Sequence, residues 1–149
     1  MKKRPLIAWI RDLARDTFVF IRKFYLTKIY KMDIHPTARI AFGSRLDKTH
    51  PQGIHIGKNT SVTTGVVVFS HDACRCIWAT DTFIGDYCFI GVNAIIMPGV
   101  NIGNEVIVGA GSIVTKDIPS NSLAVGNPAK VIKTDIKRSK WPDPKEGCL

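Results

Sequence analysis

From Ile84 to Pro119 the hydrophobic and polar positions recur with a period of six. Divided into hexads the stretch reads IGDYCF, IGVNAI, IMPGVN, IGNEVI, VGAGSI and VTKDIP, and a branched aliphatic residue opens each block: Ile84, Ile90, Ile96, Ile102, Val108 and Val114. Glycine follows in four of the six, and the fifth position is small or aliphatic throughout: Cys88, Ala94, Val100, Val106, Ser112 and Ile118. Six matches neither the period of a helix nor the unbroken alternation of a long strand. It fits short strands joined by tight turns, with each opening residue pointing inward onto its equivalent one coil along and glycine where the backbone bends. Three hexads would close one triangular coil of about eighteen residues, so the pattern predicts an all-β solenoid of parallel strands. Glu105 and Lys116 fall on outward positions.

The same pattern begins near Asp33, with IHPTAR and IAFGSR from Ile34, leaves register over Leu46 to Gly53 (LDKTHPQG), and resumes from Ile56 with IGKNTS, VTTGVV and VFSHDA. It then breaks again. Val68 to Ile84 spans sixteen residues where one hexad needs six, so ten are inserted, and the stretch carries His71, Asp72, Cys74, Arg75, Cys76 and Trp78. Solenoids accept insertions at their corners, where they project as loops and often hold function. Residues 70–83 are therefore the expected seat of chemistry. After Pro119 a turn-rich closing element reaches about residue 133, and residues 134–149 read as a polar tail. About five coils leave exposed ends and flat sheet faces, so capping and oligomerisation are expected.

Ahead of the repeats the period becomes helical. Leu6, Trp9, Ile10, Leu13, Ala14, Phe20, Ile21 and Phe24 share one side of a wheel drawn from Leu6 to Tyr25, with Arg11, Asp12, Arg15, Asp16, Arg22 and Lys23 on the other. Pro5 suits the first turn. Residues 1–32 hold nine Lys or Arg against two Asp, so +7 of the formal +9 belongs to this amphipathic segment. The repeats are nearly neutral, which argues against a nucleic-acid partner. Two uses of the helix stay open: covering an open end of the solenoid or a neighbouring subunit, or resting on an anionic membrane face with Trp9, Phe18, Tyr25 and Tyr30. No apolar run reaches eighteen residues, and Arg11, Asp12, Arg15 and Asp16 interrupt any signal-peptide core, so neither a spanning helix nor secretion is expected. Cys74, Cys76, Cys88 and Cys148 form no CxxC pair, and Cys88 holds an inward repeat position. A reducing, cytoplasmic setting follows as the expectation, with peripheral contact at the inner face of the plasma membrane through residues 1–32.

The hexads from Ile34, the loop after Ser70-His71-Asp72, and the closing GAGSIVTKDIP and AVGNPAKVI segments resemble the left-handed β-helix acyltransferases that use acetyl-CoA. The resemblance covers roughly residues 34–133, and within that group the chain is similar to sugar and polysaccharide O-acetyltransferases. It implies a left-handed parallel β-helix domain over residues 33–133, a homotrimer, acetyl-CoA as donor, no metal, and a carbohydrate or lipid-linked glycan as acceptor. His71 corresponds to the histidine that takes the acceptor's hydroxyl proton. Asp72 is expected to contact the acceptor or to shape the loop, since adjacent side chains on extended backbone point apart. The donor's contacts correspond to Gly91, Ala110 and Gly111 beside the pantetheine arm, Thr115 and Lys116 near the adenine and its phosphates, and Lys130 and Lys133 toward the 3′-phosphate. Family members often have tryptophan where this chain has Phe89, while Trp78 lies in the inserted loop; Phe89, Trp78 and Arg75 are therefore the candidate acceptor contacts with Asp72.

Three alternatives accompany this expectation. The same fold hosts zinc proteins of the γ-carbonic-anhydrase kind, for which His50, His55 and His71 would be the ligands. N-acetylation of an amino nucleotide sugar would use the same histidine chemistry. A membrane-docked trimeric scaffold without turnover is the third. An acyl-cysteine at Cys74 or Cys76 ranks lowest, because the chemistry does not require it.

Overall fold

The computed structural model describes residues 6–138. Pro5, the tail from residue 139 and Cys148 lie outside the described residues, as do the side chains of Leu6, Trp9 and Ile10 within the predicted stripe. Helix α1 runs Leu6–Phe24 and widens into a π-helical turn at Tyr25–Ile29. From Asp33 to Val114 the strands are two or three residues long and fall on three faces in strict rotation, and two longer strands then extend one face. Face 1 holds β1 (Asp33–Ile34), β4 (Ile54–Ile56), β7 (Thr82–Ile84) and β10 (Asn101–Ile102). Face 2 holds β2 (Arg39–Ile40), β5 (Ser61–Val62), β8 (Phe89–Ile90) and β11 (Ile107–Val108), then β13 (Leu123–Gly126) and β14 (Ala129–Lys133). Face 3 holds β3 (Arg45–Leu46), β6 (Val67–Val68), β9 (Ile95–Ile96) and β12 (Ile113–Val114). All pairings are parallel except that of β13 with β14. Four complete coils thus precede β13, somewhat short of the five expected.

The hexad positions are inward-facing, as the pattern predicts. Ile84, Ile90, Ile96, Ile102, Val108 and Val114 are all buried, and so are the fifth-position residues Cys88, Ala94, Val100, Val106, Ser112 and Ile118. Burial pushes the Cys88 thiol up to about 11, leaving it a packing residue. Register shows where chain has been added. On face 1, Ile84 pairs with Ile102 eighteen residues on, whereas Ile34 pairs with Ile56 at twenty-two and Ile56 with Ile84 at twenty-eight. Both surpluses leave the coil at the edge between faces 3 and 1.

Glycine plays a different part from the expected one at most repeats. The left-handed bend falls at the fourth hexad position, filled by Asn59, Gly65, Tyr87, Asn93, Gly99, Glu105 and Gly111, not at the second. The second-position glycines permit the next coil to approach: a Cβ on Gly91 would stand 2.5 Å from the Ala110 amide nitrogen.

The first coil has no coil before it, and its backbone shows the consequence. Inside the stack the Thr60 and Val66 carbonyls accept the Arg39 and Arg45 amides of the preceding coil. By register Ala38 and Ser44 are the first-coil counterparts of Thr60 and Val66, so their carbonyls meet no such donor. Side chains of α1 supply it. Lys23 donates to the Ala38 and Pro36 carbonyls, and Arg22 to those of Ser44 and Ala41. Leu26 is buried beneath them, while Leu13, Phe18, Phe20, Ile21 and Phe24 are exposed. Among the described residues the helix therefore meets the open end with Arg22, Lys23 and Leu26, and leaves Leu13, Phe20, Ile21 and Phe24 outside. At the other end, β13 and β14 close face 2 as an antiparallel hairpin, with Gly126 opposite Ala129.

Ile96 is fully buried between Val68 and Val114 of the neighbouring coils. Ile96→Ala should cost about 2–5 kcal/mol of unfolding free energy, the usual range for truncating a fully packed aliphatic, measured as a lower urea midpoint at unchanged m-value.

Candidate functional site

The two surplus segments lie on the same edge in successive coils, and each steadies the other. Ser70, buried at the neck of the longer loop, donates its hydroxyl to the His50 carbonyl at 2.6 Å, and its own carbonyl accepts the Thr80 amide at 3.1 Å. Thr82 donates to the Phe69 carbonyl at 2.6 Å and accepts the Gly99 amide at 3.0 Å. Past this neck Asp72 and Ile77 exchange both backbone hydrogen bonds around a short 3-10 turn at Ala73–Arg75, and Cys76 takes a left-handed conformation with φ 55°. The loop is a small closed lobe with a fixed base.

His71 leaves that base and points back across the coil boundary. Its Nδ1 donates to Oδ2 of Asp47, which follows β3 in the first surplus segment. The Asp47 side chain is 5% exposed and His71 is 22% exposed. Asp47 also accepts the Ser70 amide at 2.9 Å and the Thr49 amide at 2.9 Å. Burial alone would raise its pKa, but the Ser70 and Thr49 N–H groups and the His71 ring outweigh that and hold it down at about 2. The carboxylate stays ionised and takes the Nδ1 proton as its hydrogen bond, so the tautomer it selects leaves the Nε2 lone pair outward, with no hydrogen-bond partner among the described residues. Phe69 stands edge-on to the ring at 6.3 Å, and the Trp78 ring lies parallel to it at 6.4 Å. A base of this form can accept a proton from a hydroxyl or an amine brought to Nε2.

Of the predicted acceptor contacts, Trp78 and the exposed Arg75 share the lobe with His71. Asp72 is spent on the loop: its Oδ1 accepts the Cys74 and Arg75 amides at 3.0 and 3.2 Å, which favours its structural use. Phe89 sits on face 2, across the prism from the edge that carries His71, with the Arg138 guanidinium 5.9 Å from its ring. A single chain does not bring it to the loop. Asp47 is the residue that sequence reasoning missed. Its signal lies in the register, because Leu46 and Val68 occupy equivalent hexad positions and therefore bring the residues after them side by side.

The predicted donor contacts lie further along the coil axis than His71. Gly91, Ala110 and Gly111 gather on the edge between faces 2 and 3, with the Gly111 amide donating to the Val92 carbonyl at 2.8 Å. Packing against the next coil already accounts for Gly91. Gly111 adopts φ +67°, and a Cβ placed on it would meet nothing within 4 Å, so its outer side is open. Thr115 and Lys116 are exposed on the His71 edge two coils on, and Lys130 and Lys133 project from β14. His55 is engaged elsewhere, stacked on Phe83 at 4.3 Å and paired with Asp33 at 3.0 Å and Asp81 at 3.5 Å, beside a groove of about 650 Å³ on face 1 that excludes His71. Among the described residues no three His, Cys, Asp or Glu side chains form a set that could hold a metal ion.

A family model described as the hexapeptide repeat of succinyl-transferase matches residues 82–116. The chain is 46% identical over 143 residues to protein CapG of Staphylococcus aureus, covering 90% of this chain and 78% of that protein. Its structure is similar to that of the polySia-specific acetyltransferase NeuO, with TM-score 0.58 and 32% identity over 75% of this chain and 54% of that one. It is likewise similar to a maltose O-acetyltransferase from Clostridium difficile, with TM-score 0.60 and 29% identity over 78% and 75% of the two chains. The chain spans about a third of the length of serine acetyltransferases 2 and 4 of Arabidopsis thaliana, which it also matches. With its hexad register, three-faced parallel coil and inserted histidine loop, the chain belongs to the hexapeptide-repeat acetyltransferase family.

Proposed function

We propose that this protein transfers an acetyl group from acetyl-CoA to a hydroxyl of a sugar or lipid-linked glycan. The observation that carries the proposal is the Asp47–His71 pair, whose Nε2 is left for a substrate at the mouth of the inserted lobe. In this reaction Nε2 takes the acceptor's hydroxyl proton as the oxygen attacks the thioester carbonyl. The tetrahedral oxyanion then collapses, the C–S bond breaks, and the imidazolium returns the proton to the departing CoA sulfur. Asp47, ionised throughout, stabilises the imidazolium in between. A hydroxyl is favoured over an amine by the likeness to the maltose O-acetyltransferase at 29% identity.

The coil is taken as left-handed and the working unit as a homotrimer. Ile95 and Ile113 form a half-buried apolar row on face 3 in coils three and four, beside the edge that carries Gly91, Ala110 and Gly111. A neighbouring copy against that row would wall a cleft for the donor, with Lys116, Lys130 and Lys133 available to its phosphates. The exposed apolar side of α1 and the surplus positive charge of residues 1–32 suit it to an anionic membrane surface, giving a peripheral, cytoplasmic-face enzyme.

His71→Ala should lower acetyl transfer by about two to four orders of magnitude with the fold intact, read as thiol release from acetyl-CoA in the presence of acceptor; near-normal turnover would refute the assignment. Asp47→Asn should also reduce turnover, since the amide cannot stabilise the imidazolium as an anion does. Asp47 contributes stability above the ordinary carboxylate pKa that is lost as pH falls toward about 2. The unfolding free energy of the unsubstituted protein should therefore drop relative to Asp47→Asn between about pH 4 and pH 2, as followed by urea titration across that window. Phe20→Asp with Phe24→Asp should weaken sedimentation with vesicles of anionic phospholipid while leaving the circular dichroism melt in place; undiminished sedimentation would remove the membrane role.

A further inference from the structure

A groove of about 530 Å³ runs between the end of α1 and face 3 of the first two coils. Arg22, Arg45 and Lys48 line it together with the rings of Tyr25, Phe42 and Phe69. Among the described residues Asp47 is the one carboxylate in its wall, and that charge is already taken up by His71 and two backbone N–H groups. Among the described residues no carboxylate compensates Arg22, Arg45 or Lys48 in this way. Arg22 is held by the neutral Ala41 and Ser44 oxygens and lies 5.9 Å from the centre of the Phe42 ring. Lys48 Nζ stands 5.3 Å from the Tyr30 ring centre. Among the described residues neither Arg45 nor Lys48 meets a carboxylate.

The groove's position matters as much as its charge. It occupies coils one and two and ends at Asp47 and Phe69, the two residues that touch His71 from below. The candidate donor contacts occupy coils three and four and the closing hairpin. His71 thus separates two regions along the coil axis, and the groove is on the side that the donor does not use. Its far end opens at Tyr25, where the apolar stripe of α1 is exposed.

We infer that this groove binds the diphosphate of the acceptor, so that the sugar to be acetylated is presented at His71 while still attached to an isoprenoid diphosphate carrier. The inference rests on the acetyl-transfer proposal above. Cations at three positions along one groove suit a group carrying two or more negative charges. The aromatic walls and the adjoining apolar helix face suit the first isoprene units. A nucleoside diphosphate would offer the same anion from a different source.

The full-length protein titrated calorimetrically with geranyl diphosphate and with geraniol separates these terms. Geranyl diphosphate should bind at least about tenfold more tightly than geraniol, and Arg45→Glu with Lys48→Glu should weaken it by about tenfold or more, as expected for charge-assisted contacts. Both residues are exposed, and Lys48→Gln alone, expected to give a smaller loss in the same direction, serves should the double reversal fail to fold. UDP-N-acetylglucosamine binding with the same sensitivity to charge reversal would uphold the diphosphate site and assign it to a nucleotide sugar. Equal affinity for geraniol and its diphosphate, indifference to both substitutions, or displacement of geranyl diphosphate by CoA would overturn the inference. Acetyl-CoA titrated against the same samples tests the acetyl-transfer reading by itself, since its absence of binding would count against that reading and leave the diphosphate result standing.

Discussion

Everything in this structure depends on stacking in register. The columns Ile34, Ile56, Ile84, Ile102 and Leu46, Val68, Ile96, Val114 are continuous, although their members stand at unequal distances along the chain. A slip of one residue would turn every inward side chain to solvent. Extra residues therefore cannot be absorbed within a strand and must leave the coil whole, at a corner. Here both surplus segments leave at the same corner in adjacent coils. Freedom to vary in length is in this way concentrated into one double-layered patch, and that patch holds the histidine.

This arrangement gives the Asp47–His71 pair its properties. A buried carboxylate is costly unless its lone pairs are occupied. Two backbone N–H groups and the imidazole occupy them, and one of those N–H groups belongs to Ser70, immediately before His71. The aspartate thus fixes both the ring and the backbone that carries it. Because the partners come from different coils, correct stacking of Leu46 under Val68 is a condition of the pair's existing. The orientation of Nε2 is consequently a product of the repeat register and not of the loop alone.

The fold was legible because its signal is redundant: six successive hexads state the same inward residue and the same small fifth position. The surplus of ten residues follows from counting, and the candidacy of His71 within it from the resemblance to the acyltransferase family. Two things were not legible, for physical reasons. The role of the second-position glycines depends on the distance between coils, which the pattern of one coil does not contain; Gly91 is glycine because of Ala110. Sequence adjacency offers His71 only Asp72 as an acidic neighbour, whereas parallel stacking makes residues about one coil apart the true neighbours. Asp72 instead caps the turn at Cys74 and Arg75, a local hydrogen-bonding habit of aspartate that competes with any longer-range use.

The N-terminal helix shows why amphipathicity alone does not say which side faces the protein. A helix meeting the end of a parallel coil meets backbone as well as side chains. The Ala38 and Ser44 carbonyls stand where Thr60 and Val66, one coil on, accept amides from the coil before them. With no coil before the first, these oxygens need donors from elsewhere. Lys23 and Arg22 supply them, with Leu26 filling the space between. Leu13, Phe20, Ile21 and Phe24 are left outside as a direct consequence. Cap, groove and the Asp47–His71 pair are then continuous, because the Arg22 that seals the coil also lines the groove ending at Asp47. A surface bound by the exposed residues would lie at the entrance of that groove, so the broken ladder that demands a cationic cap also sets the apolar residues at the end of α1 beside the groove.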